Sequence, residues 1–138
     1  MKLLVLDDER SGIQHLHDAF HEFHDVTVVR KISDALTALA EPNSSFDIII
    51  CGVHLMNESM FDFLLKVKVD ADSKHIPFVC FRAGDAQSPG GFDSQLEETS
   101  RILGASAYIA IKDISDPAGL RNSVEQLLRP ILKKVSNG

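Results

Sequence analysis

The segment Leu3-Leu4-Val5-Leu6-Asp7-Asp8-Glu9 joins a strand-length apolar run to three consecutive acids. Such a run is typical of a buried strand, and the abrupt change to carboxylates marks its carboxyl end. Four further β-rich runs follow, with helical periodicity between them, at residues 26–29, 46–51, 77–81 and 107–111. Strands that alternate with helices predict parallel βαβ units and therefore an α/β fold.

The spacing of apolar residues predicts five helical segments between and after these strands. In the first, Ser11 to His24, one stripe carries Ile13, Leu16, Phe20 and Phe23. The next three are predicted over Ser33 to Glu41, about 60–69 and about 93–103. The last opens near Asp116 and continues to Val135, with a kink at Pro130. The longest loop is predicted over residues 83–91.

Length and composition predict one globular domain over residues 1–138, without a linker to a second domain. The net charge is -6, with 14 basic residues scattered among 20 acidic ones, so no nucleic-acid partner is expected. No apolar run approaches the roughly 20 residues that a bilayer requires. The start of the chain does not fit a secretory signal. We therefore expect a cytoplasmic protein with no membrane partner and with reduced cysteines.

Four motifs together resemble the receiver domain of response regulators, the CheY-like family. The matching segments, in the family's order and spacing, are Val5 to Glu9, Asp47 to Ile50, Ile76-Pro77 and Gly104 to Tyr108. The resemblance covers essentially the whole chain. It implies a flavodoxin-like (βα)5 three-layer sandwich with a five-stranded parallel sheet of order 2-1-3-4-5. Ligands of such sheets bind beyond the carboxyl ends of the strands, where the order reverses.

The chain departs from the family at the positions that carry its chemistry. Family members phosphorylate an aspartate at the end of the third strand, and counting from Asp47 places that position on Gly52. The family's threonine or serine after the fourth strand is replaced by Arg82. The family's lysine after the fifth strand is replaced by Ile111, and Lys112 follows one residue late. Lys112 takes the place of that lysine only if a bulge shifts it to the other face.

The same resemblance assigns the remaining pocket residues. The family holds magnesium with the acceptor aspartate, a first-strand acid and a backbone carbonyl, which here leaves Asp7 and Asp8 as weak candidate ligands. His54 matches the carbonyl position, and we expect its side chain to be inert. Because Arg82 adds a cation, we expect no cofactor beyond weakly bound Mg²⁺. Tyr108 matches the switch aromatic, whose input is lost with the threonine.

Two other groups of residues have a reactive interpretation and a simpler one. His17, His21 and His24 fall on one side of the first helix and are a candidate metal site, but they border the apolar stripe and have no cysteine or acidic partner in sequence. Cys51 and Cys80 lie in strands expected to be neighbours, where small buried apolar residues are the expectation. We expect neither group to take part in chemistry.

These departures predict a degenerate receiver without a phosphoacceptor aspartate, which is not an enzyme. We expect a phosphorylation-independent interaction module in two-component signalling that binds a histidine kinase or another two-component protein. Its predicted docking and homodimer surface is the fourth helix, fifth strand and fifth helix. One alternative is a receiver that accepts phosphate through non-standard residues. The other is a flavodoxin-like protein that binds a small ligand at the glycine-rich loop. Arg82 is predicted to pair with Asp7 or Asp8.

Overall fold

The computed structural model describes residues 2–42, 44–53, 55, 57–82, 92–110 and 118–126, apart from the side chains of 92–94. Strands and helices alternate through these residues, as the sequence predicted. The elements are β1 Lys2–Leu6, α1 Arg10–Phe20, β2 Asp25–Val29, α2 Ile32–Ala40, β3 Ile48–Gly52, α3 Met60–Val69, β4 Phe78–Arg82, α4 Phe92–Ile102 and β5 Ala107–Ala110. A further helix, α5, covers 118–126.

The five strands form one parallel sheet in the order β2-β1-β3-β4-β5, which confirms the predicted order. Every residue of β3 and β4 is buried, because both strands lie inside the sheet and helices cover their faces. The strand order reverses between β1 and β3. The carboxyl ends of these strands therefore open into the crevice where such sheets bind ligands.

Alternation along each strand divides the core into two layers of apolar contacts. Leu3 and Val5 face the layer of α1 and α5, whereas Leu4 and Leu6 face the layer that includes α2 and α3. The helices contribute buried residues to one layer each: Leu16, Phe20, Leu120 and Val124 to the first, and Ala35, Phe63, Leu64 and Val67 to the second. Helices on both faces of the sheet make the predicted three-layer sandwich.

The first helix ends four residues earlier than predicted. Residues 21–24 form a turn in which the amides of Phe23 and His24 both donate to the carbonyl of Phe20, at 3.1 and 2.9 Å. Phe23 was predicted on the buried stripe, but it is 59% exposed because the helix has ended. The guanidinium of Arg121 lies 4.1 Å above its ring.

The second helix begins at Ile32, one residue before the predicted start, and Lys31 at its N-cap gives no side-chain hydrogen bond. Instead, the amide of Ile32 donates to Oε1 of Glu58 at 3.1 Å, so the connection after β3 caps this helix. The predicted loop over 83–91 and the predicted helix beyond residue 126, including Pro130, lie outside the described residues. None of the helices that the structure describes is long and apolar enough to cross a membrane.

Candidate functional site

Asp7 is the first residue after β1, and its backbone and side chain are both held in place. Its amide donates to the carbonyl of Val29 at 3.1 Å, and its Oδ1 accepts from the amide of Glu9 at 3.0 Å. An aspartate that accepts from the amide two residues later forms an Asx turn, which here leads from the strand into α1. The Asp7 side chain is consequently fixed at the crevice, and the residue is 2% exposed.

The burial of Asp7 changes its acidity. Burial raises the pKa of Asp7 from 3.8 to about 6; the hydrogen bond from Glu9 opposes this increase, and the charges of Glu9 and Asp8 add to it. The described groups that shift the pKa of Asp7 do not include Arg82. A proton therefore competes with any cation for the Asp7 carboxylate at mildly acidic pH.

Gly52 ends β3 directly beside this carboxylate. A Cβ added to Gly52 would lie 2.7 Å from Cγ and 2.7 Å from Oδ1 of Asp7, closer than unbonded atoms approach. Gly52 does not belong to the described residues with positive φ, so the position requires glycine for space and not for backbone conformation. The space in which an acceptor side chain would begin is therefore occupied by Asp7.

Arg82 is the last residue of β4 and pairs in register with Ala110 of β5. It is 4% exposed, so a long cationic side chain is buried at the position where the resemblance implies a small hydroxyl. The side chain has interactions of its own. The contacts of Asp7 with described residues give no support to the predicted pair with Arg82, and the pair with Asp8 stays a prediction.

Three predicted pocket residues, His54, Ile111 and Lys112, lie outside the described residues, so the predictions made for them stay predictions. Tyr108 lies in β5, opposite Cys80 of β4 in the sheet register. It is half-buried and packs against the core layer that includes α2 and α3. The structure thus brings together the ends of β1, β3 and β4, with the predicted aromatic one strand further along.

The described residues of the crevice fit a divalent cation poorly. Mg²⁺ prefers six oxygen ligands in near-octahedral geometry. Asp7 packs its carboxylate against Gly52, which supplies no side chain. No group of three or more histidine, cysteine, aspartate or glutamate residues within the described part of the chain is arranged to hold a metal ion. The expectation that Asp7 and Asp8 are weak ligands of Mg²⁺ stays a prediction.

The three histidines of the first helix and its following turn do not converge. The rings of His17 and His21 stack in parallel, with centroids 4.4 Å apart, and Nδ1 of His21 lies 2.8 Å from the carbonyl of His17. His24 lies elsewhere, with Nε2 2.9 Å from Oε1 of Glu125. The alternative metal site therefore does not form, because His24 links the turn to α5.

Cys51 and Cys80 lie directly opposite each other on β3 and β4, which confirms that their strands are neighbours. Both are fully buried. Burial raises the pKa of Cys51 well above its ordinary value and raises the pKa of Cys80 to about 11. Because the thiolate is the reactive form, these cysteines behave as small apolar residues.

The strand order, the two helical layers and the crevice at the ends of β1, β3 and β4 define the fold of response-regulator receiver domains. The chemotaxis response regulator CheY4 of Vibrio cholerae matches with a TM-score of 0.70 and 20% identity, over 92% of this chain and 98% of that one. A receiver domain protein from Clostridium thermocellum matches with a TM-score of 0.72 and 19% identity, over 97% of both chains.

Two further comparisons add to this result. The receiver domain of a signal transduction histidine kinase from Syntrophus aciditrophicus matches with a TM-score of 0.72 and 20% identity, over 94% of this chain and 91% of that one. The sensory transduction protein LytR of Staphylococcus saprophyticus is 29% identical over 84 residues, which are 59% of this chain and 31% of that protein. The match thus spans about a third of LytR. No family model matches the chain.

Proposed function

We propose that this chain is a degenerate receiver, a non-catalytic interaction module of two-component signalling that works without phosphorylation. One observation carries the proposal: Gly52 ends β3, where the resemblance implies the acceptor, and the Asp7 carboxylate occupies the space that a side chain there would need. An acyl phosphate forms on a carboxylate oxygen, and glycine offers none. A module that works without phosphorylation needs only one conformation of this crevice.

The other carboxylate near β3 is too distant to replace the acceptor. Asp47 precedes the strand and accepts a hydrogen bond from the amide of Lys2 at 2.8 Å, at the amino end of the sheet. Gly52 is five positions further along the strand, a distance of about 16 Å. The buried cation of Arg82 further distinguishes the crevice from one that binds a phosphoryl group with a small hydroxyl.

The surface that we assign to the partner is the face of α4, β5 and α5. Ile102 of α4 is 77% exposed, and Tyr108 of β5 is half-buried. An exposed large apolar side chain and a partly exposed aromatic are the kinds of residue that anchor protein interfaces. A histidine kinase or another two-component protein is the partner that suits a receiver fold.

Intact mass spectrometry tests the phosphorylation part of the proposal. After incubation with acetyl phosphate and Mg²⁺, the chain is expected to gain no phosphate. Gly52→Asp is also expected to stay unmodified, since Arg82 remains and the new side chain meets Asp7. A stoichiometric phosphate adduct on the parent chain that hydroxylamine removes would overturn the proposal and favour acceptance through a non-standard residue.

Docking is tested with purified histidine kinases of the source organism, with and without phosphodonor. At least one kinase is expected to bind equally well under both conditions, and Glu97→Lys on α4 is expected to weaken binding at least about tenfold. Glu41→Lys is the matched control, because Glu41 is exposed at the C-cap of α2, which contacts β1 and β2 at the opposite end of the sheet from β5. Arg121 is unsuitable as a surface probe, since it packs on Phe23 and bonds Ala19. Loss of binding with the control alone would contradict the assigned face.

A further inference from the structure

The outer side of α3 carries an exposed apolar ridge. Leu65 is 44% exposed and Val69 is 79% exposed, whereas Phe61 is half-buried and packs in part against the core layer that includes α2 and α3. The three residues are four positions apart, so they lie above one another along the helix. Two of the exposed large apolar residues that the structure describes, Leu65 and Val69, therefore lie on one ridge of α3.

The ridge is additional to the face that α3 uses for the core. Met60, Phe63, Leu64 and Val67 are buried against the sheet. Scattered exposed apolar residues are ordinary, but an apolar ridge opposite a complete core face indicates an interaction surface. The ridge borders a groove of about 600 Å³ between α2 and α3, whose apolar lining includes Leu36, Leu39 and Val69.

We propose that a second copy of this chain docks on this ridge, with the two α3 helices antiparallel. A symmetric dimer brings one surface against itself, so the ridge must match its own reverse. Leu65 is at its centre, which places the two-fold axis between Leu65 and Leu65 of the second copy. Phe61 then meets Val69 of the second copy, and Val69 meets Phe61, so that a large side chain faces a small one in both halves.

The charges beside the ridge also match. Asp62 and Lys66 are exposed on the same flank. In the antiparallel arrangement Asp62 lies only about 3 Å along the helix axis from Lys66 of the second copy, and two equivalent ion pairs form. Exposed pairs add little affinity, but they select this arrangement over the parallel one.

Lys68 on the opposite flank does not oppose this arrangement. Its Nζ donates to the carbonyl of Lys74 at 3.2 Å and to the carbonyl of Ile76 at 2.9 Å, both in the connection that leads to β4. The Lys68 ammonium group is thus bound to carbonyls of its own protomer. The dimer does not depend on the proposed function, and it leaves the face of α4, β5 and α5 available to a partner.

Sedimentation velocity of the full chain over a concentration series provides the first test. A monomer–dimer equilibrium is expected, and Leu65→Glu should raise its dissociation constant at least about tenfold. Ile102→Glu is the matched control on α4, with an exposed apolar residue changed in the same way, and it should leave the constant unchanged. A chain that is monomeric at every concentration, or a dimer that only the control dissociates, overturns the proposal.

Charge exchange tests the antiparallel direction. Asp62→Lys alone and Lys66→Asp alone should each weaken the dimer, and the double exchange should restore it. Melting curves of the three variants separate this effect from a change in helix stability within the protomer. A double exchange that stays as weak as the single variants would overturn the assigned direction.

Cross-linking reports on the ridge even if Leu65→Glu folds poorly. Leu65→Cys should form a disulfide-linked dimer on oxidation, because the two residues meet at the axis. Val69→Cys should not, since the two copies of residue 69 lie about 12 Å apart along the helix axis. A disulfide requires Cα atoms within about 7 Å. The buried Cys51 and Cys80 give no background. Equal cross-linking of both variants, or of neither, would overturn the arrangement.

Discussion

Replacing Asp7 with asparagine is expected to stabilise the protein above pH 6 and to leave its stability unchanged near pH 3. The raised pKa means that the folded protein holds the proton more tightly than the unfolded chain does. The contribution of this group to stability is complete below pH 3.8 and is lost as the pH rises through about 6. A pKa raised from 3.8 to about 6 corresponds to a difference of at most about 3 kcal/mol in the free energy of unfolding.

Asparagine removes the charge and little else. It has nearly the same shape as aspartate, and its Oδ1 can still accept the hydrogen bond from the amide of Glu9. The contact of the side chain with Gly52 also remains. Any change in the pH dependence of unfolding between the two proteins therefore reports on the buried carboxylate itself.

The measurement is urea unfolding of the parent and of Asp7→Asn at intervals from pH 3 to pH 8. The difference in unfolding free energy should be near zero at the acidic end and should grow between pH 4 and pH 6 to a constant value. Glu22→Gln, which neutralises an exposed carboxylate, should follow the parent throughout. If the variant is no more stable than the parent at pH 8, the ionised Asp7 is compensated by a cation and the reasoning from burial is refuted.

Three other substitutions test contacts of the same fold, all by urea unfolding. Gly52→Ala should lower the free energy of unfolding by about 1–3 kcal/mol, because the new Cβ overlaps the Asp7 carboxylate, and the loss should be smaller in an Asp7→Ala background. Equal losses in both backgrounds would show that the two positions are independent. Glu58→Ala should cost about 1 kcal/mol by removing the acceptor for the amide of Ile32, whereas Glu58→Gln should cost less. Lys68→Met should cost about 1 kcal/mol by removing two hydrogen bonds to backbone carbonyls; a neutral effect would show that water replaces them.

The arrangement of elements could be predicted from the sequence because each strand is a short apolar run and the segments between the strands have helical periodicity. Element ends were less predictable, because they depend on single hydrogen bonds between distant residues. The capping of Ile32 by Glu58 joins positions 26 residues apart. The helical stripe that included Phe23 continued in the sequence beyond the point where the chain turns.

The site was predictable to a similar depth. Counting along the strand placed Gly52 at the acceptor position, and the structure places it at the end of β3. The close approach of Asp7 to Gly52 could not be predicted by counting residues, since it depends on the Asx turn that fixes the carboxylate. The ridge of Phe61, Leu65 and Val69 was missed although its spacing of four was visible. Apolar residues lie on both sides of this helix, and their helical spacing does not distinguish the buried side from the exposed one.

The contact between Gly52 and Asp7 also bears on the evolutionary reversibility of this crevice. A descendant that acquired an aspartate at position 52 would first carry the overlap of its side chain with Asp7, beside a buried Arg82. A descendant that changed Asp7 to an apolar residue first would lose the acceptor for the amide of Glu9 and with it the turn that leads into α1. Because the two positions are in contact, a change at one alters what the other tolerates, so evolution at this crevice is expected to proceed through paired substitutions.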